Sequence, residues 1–259
     1  MTGEQSCVNN SHKQMKQRLD LLLVERGLAE SREKAQRAIM AGGVLVAGQR
    51  FDKPGTKVPA DAPVTVEAAD RYVGRGGHKM EGALTSFGID PRGWVCLDVG
   101  ASTGGFTDCL LQHGAARVYA VDVGHSQLDW KIRSEPKVVA IERFNCRFLS
   151  ENEVPELVDF LVSDVSFISL TLILPAALAR VRVGGMAVVL IKPQFELRRE
   201  EVGRGGVVRD SQLHLRAVER IRDWVATQPG LEWRAVIESP IRGGDGNLEF
   251  LAWIGKMSA

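Results

Sequence analysis

Four charged residues, far apart in the chain, are of types that together could take a proton from a weakly acidic hydroxyl: Lys79, Asp164, Lys192 and Glu249. A Lys-Asp-Lys-Glu set suits a ribose hydroxyl. A lysine accepts a proton only when neutral, which burial and a neighbouring cation favour; carboxylates orient the lysines and balance charge. Taken singly, each residue reads as an ordinary surface charge. Their positions argue otherwise. Asp164 follows the apolar run Val158 to Val162, and Lys192 follows Met186 to Ile191, so both are expected just past strands. In an open α/β sheet the ligands sit there. If the last strand, Leu248 to Ile254, is antiparallel, its start brings Glu249 to the same edge. Lys79 lies on a helix expected over Arg75 to Phe87, which could cover that edge.

A second constellation is a loop. Val95 to Leu97 is a short apolar run that reads as a buried strand. From Asp98 to Gly105 follows the pattern D-x-G-x-x-x-G-G, and then an apolar-periodic helix, Phe106 to Gln112, closed by Gly114. Small residues let the backbone approach a ligand, and the helix start offers free N–H groups. Ala101-Ser102 breaks a dinucleotide fingerprint, and no Gly-Lys-Ser/Thr follows as in a P-loop. The loop resembles the S-adenosylmethionine loop of Rossmann-like methyltransferases. Asp122 ends the second strand, Arg117 to Val121. An acidic residue about 20 positions past such a loop can accept both ribose hydroxyls of an adenosine. The other reading is a tight turn with an ordinary strand-end Asp. The resemblance implies S-adenosylmethionine as cofactor. Its candidate contacts are Asp98, Gly100, Ala101, Ser102, Thr103, Gly104, Gly105, Phe106, Asp122, Val123, Asn145 and Asp164.

The elements that must position these residues alternate. A third strand is expected over Val138 to Ile141, and Asn145 follows it. After the fourth strand comes an apolar helix, Leu170 to Val181, and then Gly184-Gly185. A long Arg-, Glu- and Gly-rich loop, Leu197 to Arg209, reads as functional. A helix (Leu213 to Thr227), a strand (Trp233 to Ser239) and the last strand close the chain. This order predicts an α/β, Rossmann-like fold with a mostly parallel seven-stranded sheet and a hairpin-like pair at one edge.

The 259 residues suffice for one large domain plus a small one. At 44% hydrophobic and 25% charged, the chain reads as a soluble globular protein. Net charge is +1, but residues 11–57 carry ten Lys/Arg against five Asp/Glu, leaving 23 against 27 elsewhere. A basic N-terminal part suits a polyanion, although a solvated charged face has the same charge pattern. Cys7, Cys96, Cys109 and Cys146 form no C-x-x-C pair. With no secretory signal visible and no membrane-length apolar run, the chain reads as reduced and cytoplasmic.

Residues 1–17 read as a disordered tail. Residues 18–69 read as a small α+β unit: a helix from Arg18 to Arg26, a second from Arg32 to Ala41 capped by Ser31, a strand through Val44 and Val46, and extended chain from Val58 to Val66. The run RLDLLLVERGLAESREKAQRAIMAGGVLVAG resembles the S-four-type RNA-binding domain, except that Ala47 stands where that family commonly has Asn. The resemblance and the charge point to Arg18, Arg32, Lys34, Arg37, Arg50 and Lys53, with Arg75 beyond a linker over 70–73, as RNA-binding residues. Residues 74–259 form the expected methyltransferase domain.

The succession of S-four-type domain, RGGxK, DVGASTGGFTD, SDVSF, IKPQFE and GxxGNxEF is similar, over residues 18–255, to the hemolysin-A-like (TlyA) family of ribosomal RNA 2′-O-methyltransferases, whose catalytic domain is of the FtsJ type. The resemblance implies a ribosomal RNA or ribosomal subunit as partner, a cytidine ribose as acceptor, and Lys79, Asp164, Lys192 and Glu249 as catalytic residues, with Lys192 as base. It also places an aromatic residue, here Tyr72, in the linker. Methyl transfer from a sulfonium is an in-line displacement that needs positioning and no metal. No obligate protein partner and no membrane association are evident. A non-catalytic RNA-binding or ribosome-assembly factor, and a membrane-active hemolysin, are the competing classes.

Overall fold

The computed structural model describes residues 15–40, 42–66 and 70–258. The chain divides into two compact units, Met1–Asp70 and Arg71–Ala259. The smaller contains β1 (Lys16–Arg18), α1 (Leu19–Glu25), α2 (Arg32–Met40), β2 (Val44–Val46), β3 (Gln49–Phe51), β4 (Lys57–Pro59) and β5 (Val64–Val66). Leu19, Leu22 and Leu23 of α1 meet Ala35 and Ile39 of α2 over Val44, Val46 and Val58 in one core.

Beside that core the Asp20 carboxylate is fully buried. It is tolerated because Arg18, Arg32 and Gln36 all donate to it, at 2.9–3.0 Å. The hydrogen bond from Arg18, first of all, holds its carboxyl well below the ordinary range. Arg18 therefore does not open the first helix; it ends β1, opposite Lys57. Of the tail expected over 1–17, residues 1–14 lie outside the described residues, while Lys16 and Gln17 pair with Pro59 and Val58. The extended chain expected over 58–66 is two strands in different sheets, β4 against β1 and β5 against β2. Ala41, the expected end of the second helix, and residues 67–69, where the small unit was expected to finish, also lie outside the described residues.

The larger unit follows with α3 (Gly76–Phe87), β6 (Val95–Val99), α4 (Gly105–Gln112), β7 (Arg117–Val121), α5 (Trp130–Arg133), β8 (Val138–Ile141), β9 (Val158–Ser163), α6 (Leu170–Ala179), β10 (Val181–Ile191), α7 (Pro193–Glu196), α8 (Ser211–Ala226), β11 (Leu231–Glu238) and β12 (Phe250–Lys256). The sheet has seven strands in the order β11-β12-β10-β9-β6-β7-β8. From β10 to β8 all neighbours are parallel, and β12 runs antiparallel to both β10 and β11. Helices cover both faces. Ile173 and Leu174 of α6 join Ala217 and Ile221 of α8 in the core on one side. Met80 and Leu84 of α3 join Phe106 and Leu110 of α4 on the other.

Two sequence expectations are corrected here. The helix expected over Leu170 to Val181 stops at Ala179, and Val181 already pairs with Val158 in β10. Gly184-Gly185 is therefore an irregularity inside a long strand and not a turn before it. A side chain at Gly185 would lie 2.8 Å from the Asp159 carbonyl, so the strand can bulge there only on glycine. The linker expected over 70–73 is also shorter. Tyr72 is buried in the core of the larger unit, and the Val73 N–H donates to Asp108 Oδ2 at 2.9 Å.

The hairpin between β2 and β3 turns on Ala47 and Gly48, both left-handed, with φ of 49° and 79°. Alanine is poorly suited to that conformation, whereas asparagine tolerates it. Ala47→Asn is expected to stabilise the small unit by about 0.5–1 kcal/mol, read as a shift in its denaturant midpoint at unchanged slope.

Candidate active site

Strand register builds the charged set. β9 ends at Ser163, in line with Val99 of β6 and Val189 of β10. Asp164 thus leaves the sheet beside Gly100, where any side chain would lie 2.6 Å from the Asp164 carbonyl. Ile191, the last residue of β10, is opposite Phe250, the first of the antiparallel β12. Lys192 and Glu249 therefore emerge side by side. α3, packed on α4, supplies Lys79 from above.

The four side chains meet. Lys79 Nζ is 2.5 Å from Glu249 Oε2 and 3.9 Å from Asp164 Oδ2. Lys192 Nζ is 2.6 Å from Asp164 Oδ1 and donates to Ser166 Oγ at 2.8 Å. Each lysine thus has a carboxylate, and Asp164 faces both. The Lys79 and Glu249 side chains are only 8% and 3% exposed, burial that such charges tolerate only as a pair. Gly243 makes room for the set, since a side chain there would stand 2.5 Å from Glu249 Oε1. Asn247 sets the approach to Glu249. Its Oδ1 accepts from the Val208 N–H and its Nδ2 donates to the Gly206 carbonyl, both at 2.9 Å, which anchors the long loop expected over 197–209.

Next to this set is a cavity of about 400 Å³, lined among others by Gly100, Ser102, Asp122, Val123, Asn145 and Asp164. Six of the expected cofactor contacts therefore share one concave surface. Asp122 does more than face it: its carboxylate accepts from the Ser102 and Gly124 N–H groups, at 2.8 and 2.7 Å, and so fixes the loop. Ala101 lines a small adjoining cleft. The rest of the loop faces inward. A side chain at Gly104 would meet Leu128 at 2.9 Å, one at Gly105 would meet the Gly77 backbone at 2.9 Å, and Phe106 is in the core. Thr103 abuts Gly74, whose missing side chain would lie 2.6 Å from its hydroxyl. These four shape the loop and do not line the cavity. Asp98 is buried beneath, with Thr107 Oγ1 donating to its Oδ2 at 2.7 Å and its Oδ1 unpartnered among the described residues. Burial pushes its carboxyl up to about 7.

Sequence reasoning missed Gln127, Cys146, Arg147 and Ile173 on the same wall. Burial pushes the Cys146 thiol up to about 11, so it lines the cavity as a neutral group. Also missed were Phe167 and Phe195. Phe167 is 90% exposed and left-handed at φ 64°, and its ring lies 5.1 Å from that of Phe195. Both sit inside the quoted runs SDVSF and IKPQFE. An aromatic residue three positions after each charged strand end was the available signal.

The basic residues of the small unit are not equivalent. Arg18 and Arg32 are held by Asp20, and Lys34 pairs with Glu30 on the same helix. Arg50 donates to the Gly42 carbonyl. Arg37 and Lys53 are exposed. In the larger unit, Arg75 is exposed and donates to the Arg242 carbonyl. Tyr72, expected in the linker, packs edge-on to His78 at 5.2 Å and fills the space left by Gly77.

Fold and site together are those of a Rossmann-like methyltransferase. The family description "FtsJ-like methyltransferase" matches residues 72–256, and "S4 domain" matches residues 17–64. The chain belongs to the FtsJ-like methyltransferase family and carries an S4 domain ahead of it. It is 44% identical over 239 residues to the 16S/23S rRNA (cytidine-2′-O)-methyltransferase TlyA of Mycobacterium tuberculosis (strain ATCC 25618 / H37Rv), covering 92% of this chain and 89% of that one. It is 43% identical over 239 residues to Hemolysin A of Brachyspira hyodysenteriae, covering 91% and 98%. The solved O-methyltransferase from Bacillus cereus in complex with SAH shares the fold at a TM-score of 0.50 and 14% identity, over 72% of this chain and 84% of that one. Among the described residues no helix is long and apolar enough to cross a membrane.

One buried carboxylate ties the two site loops together. Glu196, at the end of α7, accepts from Ser169 Oγ at 2.6 Å and from the Leu170 N–H at 2.8 Å, so the turn that begins at Lys192 caps the helix that follows Asp164. Burial raises the Glu196 carboxyl. Glu196→Ala strands both donors and should cost about 1–3 kcal/mol. Denaturant unfolding measures the loss, and faster amide exchange at Leu170 locates it.

Proposed function

We propose that this chain is an S-adenosylmethionine-dependent 2′-O-methyltransferase that acts on a ribose, a cytidine ribose in particular, of ribosomal RNA. The observation that carries the reading is the convergence of Lys79, Asp164, Lys192 and Glu249 at the rim of the cavity lined by Gly100, Ser102 and Asp122. The names of the relatives support the substrate class, and the S4 domain supports an RNA partner. The three described cysteines are free, which suits a reducing cytoplasm, where ribosomal RNA is found.

The residues fit the cofactor. Gly100 leaves space between two strand ends, Asp122 presents a carboxylate for adenosine hydroxyls, and the buried Asp98 Oδ1 lacks a partner among the described residues. When bound, S-adenosylmethionine supplies an electrophilic methyl group on a sulfonium. The protein's task is to make a hydroxyl oxygen nucleophilic beside it. Lys192 is assigned as the acceptor of the 2′-hydroxyl proton, with Asp164 and Ser166 holding its amine in place. Lys79 stands between Glu249 and Asp164 on the other side, and a proton taken up by a neutral Lys192 brings the four charges into balance. A Lys192 amine that is neutral beforehand would take the hydroxyl proton as the oxygen gained the methyl and the methyl's carbon–sulfur bond broke, which would leave a neutral thioether. Phe167 and Phe195 offer ring faces to a base unstacked from the RNA.

Lys192→Ala should abolish methyl transfer while cofactor and RNA still bind. Lys192→Arg should fail as well, because a guanidinium stays protonated. Single-turnover methylation of ribosomal substrate is the measurement, and an Arg variant near the wild-type rate removes Lys192 from the role of base.

RNA affinity is assigned to the basic face of the small unit. Replacing Arg32 and Arg37 together by Ala should weaken RNA binding and flatten its salt dependence by about two counterions' worth of slope, with cofactor affinity unchanged. A salt titration of RNA binding checks this. A double variant that follows the wild-type curve assigns that face to another purpose.

A further inference from the structure

Two cations that repel each other are held side by side in the small unit. Arg18 Nη2 lies 2.9 Å and Arg32 Nε 3.0 Å from the same oxygen, Asp20 Oδ2. The two nitrogens are no farther apart than those two distances laid end to end. Coulomb repulsion and side-chain entropy would part them without the carboxylate between. Asp20 itself is fixed on every side. Its N–H donates to the Pro54 carbonyl at 3.1 Å, and the Leu19 N–H before it donates to the Thr56 carbonyl at 2.9 Å. Gln36 of α2 donates to Asp20 Oδ2 at 3.0 Å. Gly55 leaves room for the Arg18 guanidinium, since a side chain there would stand 3.4 Å from its Nη1.

The anchor is enclosed, and what it anchors is not. The Asp20 side chain is 0% exposed, whereas those of Arg18 and Arg32 are 41% and 53% exposed. Nη1 of Arg18 and both Nη of Arg32 make no hydrogen bond among the described residues. Two guanidinium charges against one carboxylate leave a single positive charge at this surface. A phosphodiester carries one negative charge and the acceptor oxygens that guanidinium N–H groups fit. A surface arginine gives up rotamer freedom when it grips such a group. These two have given it up already.

We infer that Asp20 is a positioning residue for RNA binding, which holds Arg18 and Arg32 together as a two-pronged site for one backbone phosphodiester. This rests on the RNA affinity proposed for the small unit. A purely structural Asp20 and a positioning Asp20 differ in sign. Asp20→Asn removes a negative charge from a basic face, so charge alone demands tighter RNA binding. Positioning demands weaker binding, because a neutral amide no longer gathers two guanidinium groups. Arg32→Lys keeps the charge, but one ammonium does not hold Asp20 and present a fork to a phosphate at once.

The test uses the full chain and a ribosomal RNA substrate. RNA binding is measured across a salt titration for the wild type, Asp20→Asn and Arg32→Lys, with S-adenosylmethionine affinity measured alongside. Amide exchange at Leu22 and Ile39 shows whether the small unit is folded. Both variants should bind RNA roughly three- to thirtyfold more weakly, the worth of ordering one or two long side chains. The salt slope should stay as it is, because no cation is lost, and cofactor affinity should not change. Either variant, folded and binding RNA as tightly as the wild type or more tightly, overturns the role of Asp20 and leaves the RNA affinity of the small unit standing. If Asp20→Asn unfolds the small unit, Arg32→Lys decides alone. A wild type with no salt-dependent affinity for the RNA overturns both.

Discussion

Two lysines and two carboxylates share one end of the sheet, and no one of them is stable there alone. A buried unpaired ammonium or carboxylate would be costly, and removing one partner from such a pair leaves the other uncompensated. Lys79 and Glu249, almost wholly buried, satisfy each other; Lys192 and Asp164, at the rim, do the same, and Asp164 also faces Lys79. With both lysines protonated and both carboxylates ionised, the charges of the set cancel two against two.

The fold's task is to deliver four termini to one place. Parallel strands bring Asp164 and Lys192 out at the same sheet edge, and the single antiparallel strand brings Glu249 back to it. Backbone contact then fixes the rest. Glycines at 100, 105 and 243 lie where a methyl group would strike a neighbour, so the glycine loop, α3 and the Glu249 turn can close to contact distance. Asn247 and Glu196 act as braces behind the site, each satisfying two donors or acceptors of a neighbouring segment.

The small unit solves a related problem with one carboxylate. Asp20, fully buried, collects Arg18, Arg32 and Gln36. Arg18 is held through two nitrogens and Arg32 through one, which leaves the remaining guanidinium nitrogens for solvent or phosphate. The loss of side-chain freedom, usually incurred on binding, is then largely incurred on folding.

The sequence by itself determined the order of strands and helices, because hydrophobic periodicity is a local property, and it determined the identities of the four charged residues, because each directly follows or precedes an apolar run or sits on a helix that must cover one. It also determined Asp122 and the glycine loop, since spacing along one chain carries them. Some boundaries were not legible. Gly184-Gly185 stands between the expected helix and the expected strand until Val181 is seen paired with Val158. Arg18 reads as the start of a helix until Lys57 lies opposite it. Only the tertiary structure decided which loop residues face the cavity and which face inward: Gly104, Gly105 and Phe106 turn toward α5, residues 74–77 and the core, contacts made by segments remote in sequence. Phe167 and Phe195 became visible for the same reason. Their side chains gain meaning from a cavity wall assembled by two loops, and no local pattern encodes a distance between them.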